Sequence, residues 1–350
     1  MALFHSLKIK SLLRQTDKAV SITFEVPTSL KTDFEFSAGQ YITLKSMIDA
    51  KEVRRDYSLS SSPHSELLTV TVKEIENGLF SSYANTQLKV GDTLEVGTPN
   101  GHFVYNPKTD SEHTIVAFAA GSGITPIMSI AQTVLETKTD TRFVLIYGNK
   151  SPKETIFYDA ILKLKTLYND RFKVQFVFSE SDEDEALFGR IDSGNIQYIL
   201  KNNFSIHDSQ KFYLCGPEGM INSVKTILTE KGVEPSKILF ELFTASAVES
   251  TSVSTNEGDS NITILVDEEE TTLVMSQQQT ILEAALASDL DVPYSCQGGV
   301  CSSCICRVTE GTATMRQNNI LTDNEVAEGL VLSCQAEPTS TTIKVDFDDI

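Results

Sequence analysis

A chain of 350 residues, 40% apolar and 22% charged, has room for two or three domains that each bury a core. Its formal charge of −19, with 15 Asp or Glu against 3 Lys or Arg from Asn261 to Ile350, argues against nucleic acid, whose phosphates would be repelled; it suits a basic protein partner or simply confers solubility. No apolar run reaches the roughly 18 residues that span a bilayer, and Met1 to Lys10 alternates like a strand rather than forming a signal peptide's apolar core, so neither membrane nor export is expected.

Residues 1–107 read as short strands. Val20, Ile22, Phe24 and Val26 alternate with polar neighbours, as do Leu68, Val70 and Val72, which is the period of half-buried strands. Turn signals at Ala38-Gly39, Ser62-Pro63 and Val90-Gly91-Asp92 separate them, and a small antiparallel β-barrel is expected. From 112 to 244 the pattern changes to strand, helix, strand. The apolar run Thr114 to Ala120 leads through a glycine turn into Met128 to Leu135, and Phe143 to Tyr147 precedes a stripe of Phe157, Ile161, Leu164 and Tyr168. Val174 to Phe178 and Lys211 to Cys215 add strands, so a parallel sheet covered by helices, an α/β domain, is expected.

Ala245 to Ser260 is rich in Ser, Thr and Glu and reads as a linker. Residues 261–350 form the last unit, with strands Ile262–Val266 and Thr271–Met275 and a helix opened by the capping box Thr280-Ile-Leu-Glu283. Within it, Cys296-Gln-Gly-Gly-Val-Cys301-Ser-Ser-Cys304 and the distant Cys334 reproduce C-x4-C-x2-C…C, the plant-type spacing for a [2Fe–2S] cluster. Gly298 and Gly299 let backbone amides turn towards it. A zinc site is the competing reading, but zinc ribbons pair two C-x2-C hooks and only one is present. Cys306 is read as a non-ligand. A reducing compartment, the cytoplasm, follows from thiols kept for iron.

Two glycine turns carry the dinucleotide signal. Gly121-Ser122-Gly123-Ile-Thr125-Pro126 joins a buried strand to a helix, where backbone amides can meet a pyrophosphate. Cys215-Gly216-Pro217 again links a strand to a helix. In the first domain, Arg55-Asp56-Tyr57-Ser58 has the form R-x-Y-S, in which an Arg fork suits a phosphate and an aromatic ring can lie flat on a ring system. Val72, Lys73, Gly78, Phe80, Ser81 and Ser82 follow at a strand end and a helix start.

These motifs run in order through almost the whole chain. It resembles the three-module reductases of the ferredoxin–NADP reductase superfamily that end in a plant-type ferredoxin of β-grasp, α+β fold. The likeness extends to the group serving phenylacetyl-CoA epoxidase, through R-x-Y-S, Tyr147-Gly-Asn149, Gly189-Arg-Ile-Asp192 and Glu241-Leu-Phe243. The resemblance implies that Arg55, Asp56, Tyr57, Ser58 and the segments at Val72–Lys73 and Gly78–Ser82 hold a flavin, with Ser58 reaching its reactive nitrogen. Pro99-Asn-Gly101-His-Phe103 favours FAD over FMN. It implies that Cys215 lies near the nicotinamide, that Glu241 orders the site and that Phe243 covers the flavin face.

Lys150, Ser179 and Arg190 supply partners for a 2′-phosphate and favour NADPH, whereas Glu180 leaves NADH open. Hydride would pass from nicotinamide to flavin, then single electrons through the cluster to an acceptor protein, an oxygenase component serving phenylacetate catabolism. A desaturase, a ring or steroid hydroxylase, a hydroxylamine-reducing system or a cluster-based redox sensor are the alternatives.

Overall fold

The computed structural model describes residues 4–107, 114–202, 211–243, 258–266 and 268–349. Phe4–Val53 and Tyr57–Glu241 make one compact unit, and Leu242 opens a second.

The first unit begins with β1 (Phe4–Thr16), β2 (Ala19–Glu25), β3 (Tyr41–Ile48), β4 (Lys51–Ser58), β5 (Leu68–Lys73), helix α1 (Leu79–Thr86) and β6 (Thr93–Gly97). The sheet order is β4-β3-β6-β1-β2-β5. Leu59, just past β4, bridges antiparallel to Val70 in β5, so the two edge strands meet and the sheet curls closed. Closure removes the exposed edges that invite aggregation. The alternation seen in the sequence fills the interior, with Ile9, Ile22, Leu44, Val70 and Val72 at 1% exposure or less. Helix α1, with its start expected at Gly78–Ser82, caps this interior with Phe80.

An α/β layer follows: β7 (Thr114–Ala120), α2 (Ile124–Thr137), β8 (Arg142–Asn149), α3 (Tyr158–Leu167), β9 (Phe172–Phe178), β10 (Leu187–Phe188), α4 (Ser193–Asn202), β11 (Lys211–Cys215), α5 (Glu218–Glu230) and β12 (Ile238–Glu241). All pairings in this sheet are parallel, and the order is β10-β9-β8-β7-β11-β12. The order therefore reverses between β7 and β11, the crevice where such sheets bind ligands.

The barrel and the α/β layer are joined by specific contacts. Ser62 Oγ donates to Glu136 Oε2 at 2.6 Å and Ser129 Oγ to the Ser61 carbonyl at 2.7 Å. The Tyr213 hydroxyl donates to the Val104 carbonyl at 3.0 Å, and its ring meets Phe103 edge-on. Ala38, Phe103 and Tyr105 share the core of the α/β sheet, which fixes the two layers as one body.

The second unit holds β13 (Asp259–Val266), β14 (Glu269–Ser276), α6 (Ile281–Ala287), β15 (Ile305–Glu310), β16 (Ala313–Met315), α7 (Asp323–Ala327), β17 (Leu330–Leu332), β18 (Ala336–Pro338) and β19 (Thr342–Asp346). Its main sheet runs β14-β13-β19-β15-β17, with β13 parallel to β19 and antiparallel to β14. This is the expected β-grasp pattern. Most of the linker expected at 245–260 lies outside the described residues. Asp259 and Ser260, assigned to it, instead open β13 opposite Ser276 and Met275. Ser260 is buried because its hydroxyl is satisfied, donating to Ser340 O at 2.6 Å and accepting from Gln277 Nε2.

The capping box of α6 forms as expected. Thr280 Oγ1 accepts from the Glu283 amide, and the Glu283 carboxylate accepts from the Thr280 amide at 2.9 Å. Thr280→Ala should cost about 1 kcal/mol. In urea unfolding it should lower the midpoint of the C-terminal unit's transition and leave that of the first unit unchanged.

Candidate functional site

Strand β4 places Arg55, Asp56, Tyr57 and Ser58 in sequence along one edge, with Arg55 exposed, Tyr57 half-buried and Ser58 buried. Arg55 and Tyr57 share a face of the strand by its two-residue period. The Tyr57 ring leans on Phe80 at 5.5 Å between centroids. Phe80 itself is 1% exposed and packs in the barrel core. Its side chain thus positions α1, and only its backbone amide remains to meet a ligand.

Ser81 is likewise turned inward. Its hydroxyl accepts from the Ile75 amide and donates to the Gly78 carbonyl, both at 3.2 Å. A Cβ on Gly78 would fall 2.3 Å from that hydroxyl, so the turn needs glycine. Helix α1 has no side-chain cap at its N-terminus, which leaves its first amides as donors suited to a pyrophosphate. Residues not foreseen from sequence hold it there. Asn85 Nδ2 donates to Val72 O at 3.2 Å and to Ser81 O at 2.9 Å, while Arg14 Nη1 donates to Asn85 Oδ1 at 2.8 Å.

At the reversal of the parallel sheet, the turn Gly121–Gly123 after β7 meets the turn after β11. A Cβ on Gly123 would stand 2.1 Å from the Cys215 carbonyl oxygen, so the two backbones touch only because that Cβ is missing. Gly121 is in the left-handed region at φ 55°. Thr125 Oγ1 closes the turn on Ser122 O at 3.1 Å, and Pro126 lies buried in the first turn of α2. The start of α2 also lacks a side-chain cap.

Tyr147, fully buried, shares its hydroxyl between Gly121 O at 2.9 Å and Ile156 O at 3.3 Å, and burial pushes its pKa up. Lys73 reaches the same turn from the barrel, 3.4 Å from where a Gly121 Cβ would stand. Burial pulls the Lys73 pKa below the lysine range, Glu154 opposes this, and Lys150 and Lys18 add to it.

Ser58, Cys215 and Glu241 are brought together. Ser58 Oγ donates to Glu241 Oε2 at 3.2 Å, and Glu241 is the register partner of Cys215 across β11 and β12. Burial first, then the Glu241 charge, holds the Cys215 thiol well above its ordinary pKa, so it is neutral. Gly216 and exposed Pro217 lead into α5. Phe243 follows β12 and is 38% exposed.

Lys150, Ser179 and Glu180 meet at the ends of β8 and β9, where the Ser179 amide bonds Asn149 O and the Glu180 amide bonds Lys150 O. Lys150 Nζ pairs with Glu180 Oε1 at 3.1 Å, which raises the lysine pKa, and exposed Arg190 is close enough to oppose that rise.

In the second unit, Cys296 and Cys301 lie on the loop before β15, Cys304 abuts that strand, and Cys334 sits between β17 and β18. The Ser333 amide bonds the Cys304 carbonyl at 2.9 Å and so ties the fourth thiol's segment to the loop. The thiols form a chain of neighbours. Cys296 is held far below the thiol range by hydrogen bonds from Cys301 and Cys334, and Cys304 is lowered by Cys334, while Cys301 and Cys334 are pushed up as their donors.

Four neighbouring thiols from two segments suit a two-iron cluster, which is held by four cysteines. The surroundings fit it as well. The Gly298 amide donates to Cys296 Sγ at 3.4 Å. Ser295 and Ser333 carry buried hydroxyls that complete no hydrogen bond, although Ser333 is near enough to Cys304 to help lower its pKa. Cys306 is fully buried with a raised pKa and serves the core.

Comparison with known proteins finds three family domains along the chain. Residues 8–105 match the oxidoreductase FAD-binding domain, 118–226 the oxidoreductase NAD-binding domain, and 264–339 the 2Fe-2S iron-sulfur cluster binding domain. The chain is 38% identical to a subunit of the 1,2-phenylacetyl-CoA epoxidase of Escherichia coli, over 99% of both. It is 31% identical to the ferredoxin reductase component of 3-ketosteroid-9-alpha-monooxygenase from Rhodococcus rhodochrous, over 97% of this chain and 96% of that one. Phthalate dioxygenase reductase shares the fold, with a TM-score of 0.62 at 22% identity over 98% of both chains.

Gly123→Ala should lower kcat/KM for the dinucleotide on the order of a hundredfold, the scale of a misplacement of about 1 Å, while bound flavin is retained; steady-state kinetics and the flavin spectrum check this. Lys73 is charged below its lowered pKa, so dinucleotide affinity should weaken as pH rises through that value. A KM-against-pH profile should show this alkaline limb in the native protein and lose it in Lys73→Met.

Proposed function

The chain belongs to the three-module oxygenase reductases of the ferredoxin–NADP reductase superfamily, and from that membership we propose that it takes reducing equivalents from NADPH and delivers them to an oxygenase component of the phenylacetyl-CoA epoxidase type. Its activity is that of an NAD(P)H-dependent flavoprotein oxidoreductase with FAD and a [2Fe–2S] cluster. FAD and the cluster, when bound, turn a hydride into two single electrons. The cytoplasm is the proposed location, since thiols reserved for iron need a reducing environment.

The observation that carries this reading is the hydrogen bond from Ser58, on the flavin strand β4, to Glu241 beside Cys215. Through it, Ser58 and Glu241 can hold a proton between the two ring sites. The neutral Cys215 thiol excludes water where the nicotinamide would lie without adding a competing charge. The turn Gly121–Gly123 and the start of α2 offer amides to the dinucleotide pyrophosphate, with Lys73 as counter-charge. Arg55 would hold the flavin phosphate and Tyr57 its ring, Val72 the strand edge beside it, and the first amides of α1, that of Phe80 among them, its pyrophosphate, while the Gly78 and Ser82 amides bond Ile75 O and Gly78 O and hold the turn.

For the donor, Lys150, Ser179 and Arg190 provide a cationic and hydroxyl set for a 2′-phosphate. The pairing of Lys150 with Glu180 favours NADH as the second reading, because a carboxylate there binds a ribose diol and repels a phosphate.

Anaerobic titration of the purified protein with NADPH and then NADH, followed in the visible range, tests the reading. NADPH should bleach flavin and cluster at the lower concentration; equal or better reduction by NADH would replace the proposed donor. Cleavage within residues 245–257 should leave ferricyanide reduction intact and abolish cytochrome c reduction. Equal loss of both would contradict the division of labour, and a protein colourless after reconstitution with iron, sulfide and FAD would end it.

A further inference from the structure

Gln335 follows the fourth thiol directly, and its side chain is 9% exposed. Its Nε2 lies 3.1 Å from the Gln297 carbonyl oxygen and 3.6 Å from Cys334 Sγ. A primary amide carries two N–H groups, so one nitrogen serves both acceptors at once. Gln297 lies in the stretch between Cys296 and Cys301 and takes a left-handed conformation at φ 54°. Gly299, also left-handed at φ 68°, leaves the space that Gln335 fills, since a Cβ there would stand 3.0 Å from Gln335 Cγ. The amide is therefore held by its stem, by the loop carbonyl and by the sulfur. It links the loop bearing three thiols to the segment bearing the fourth. The Gly298 amide reaches Cys296 from the main chain, a donor that any residue but proline would supply. The Gln335 donor is a property of this side chain.

We propose that Gln335 sets the reduction potential of the cluster by donating an N–H to the Cys334 sulfur. The proposal rests on the reading of the four thiols as cluster ligands. One-electron reduction adds negative charge to the sulfurs, and a donor aimed at one of them stabilises the reduced form and raises the potential. The second N–H, on Gln297, keeps the first aimed. Gln335 is in this sense a positioning and tuning residue, acting on the sulfur rather than on substrate.

Gln335→Met keeps the length of the side chain and removes both donors. In the full-length holoprotein, an EPR-monitored potentiometric titration should find the variant's reduced-to-oxidised ratio at the native midpoint lowered about three- to tenfold, tenfold being about 59 mV for one electron. Reduction of flavin by nicotinamide should be unchanged. A strut without tuning would lower iron and sulfide content but leave the midpoint of the loaded fraction in place, and that result would overturn the proposal.

The native protein gives an independent answer, including where the variant fails to load. With glutamine labelled by 15N in its side-chain amide, pulsed EPR of the reduced cluster should show a nitrogen coupling, and its absence would overturn the proposal. A native protein without iron and sulfide would fail at the earlier step, the cluster reading itself, and overturn both.

Discussion

A single backbone approach governs the hydride end of this protein: Gly123 lies against the carbonyl of Cys215 with no room for a side chain between them. Parallel strands that leave a common centre in opposite directions open a crevice at their carboxyl ends, and here β7 and β11 form its walls. Because the walls touch at their turns, the start of α2 and the end of β11 are held against each other. Tyr147 fastens the Gly121 carbonyl from beneath, and the barrel closes the crevice from the side with Ser58 and Lys73. Losing one methyl-sized gap would disturb all of these together.

The fold was legible wherever local chemistry decides structure. The cysteine spacing, the glycine turns and the Thr280 capping box each specify their geometry within about ten residues. Ser58, Cys215 and Glu241, far apart in the chain, could be grouped only through family likeness, and the packing of β4, β11 and β12 brings them together. Other residues were not legible because their partners are remote. Asn85 supports α1 through Arg14, and Ser260 is buried by a bond to Ser340 across the sheet.

Phe80 and Ser81 carried a cofactor signal in sequence, yet one fills the barrel core and the other ties its own turn. A motif residue can support a site by building the platform under it. Phe80 illustrates the energetic reason: truncating a buried Phe typically costs about 3–5 kcal/mol, a constraint strong enough to fix that position whatever lies above it. Ser260 shows the opposite error, a polar residue that looks like linker until its hydrogen bonds are counted.

Four of the six cysteines separate into two chemical kinds. Cys296 and Cys304 are driven towards the thiolate by neighbouring donors, whereas Cys215 and Cys306 are sealed among apolar groups and kept as thiols. Peroxides and alkylating agents attack the thiolate and spare the neutral, inaccessible form. Before iron is bound, oxidation would therefore fall first on the partly exposed Cys296 and spare the buried Cys215 thiol.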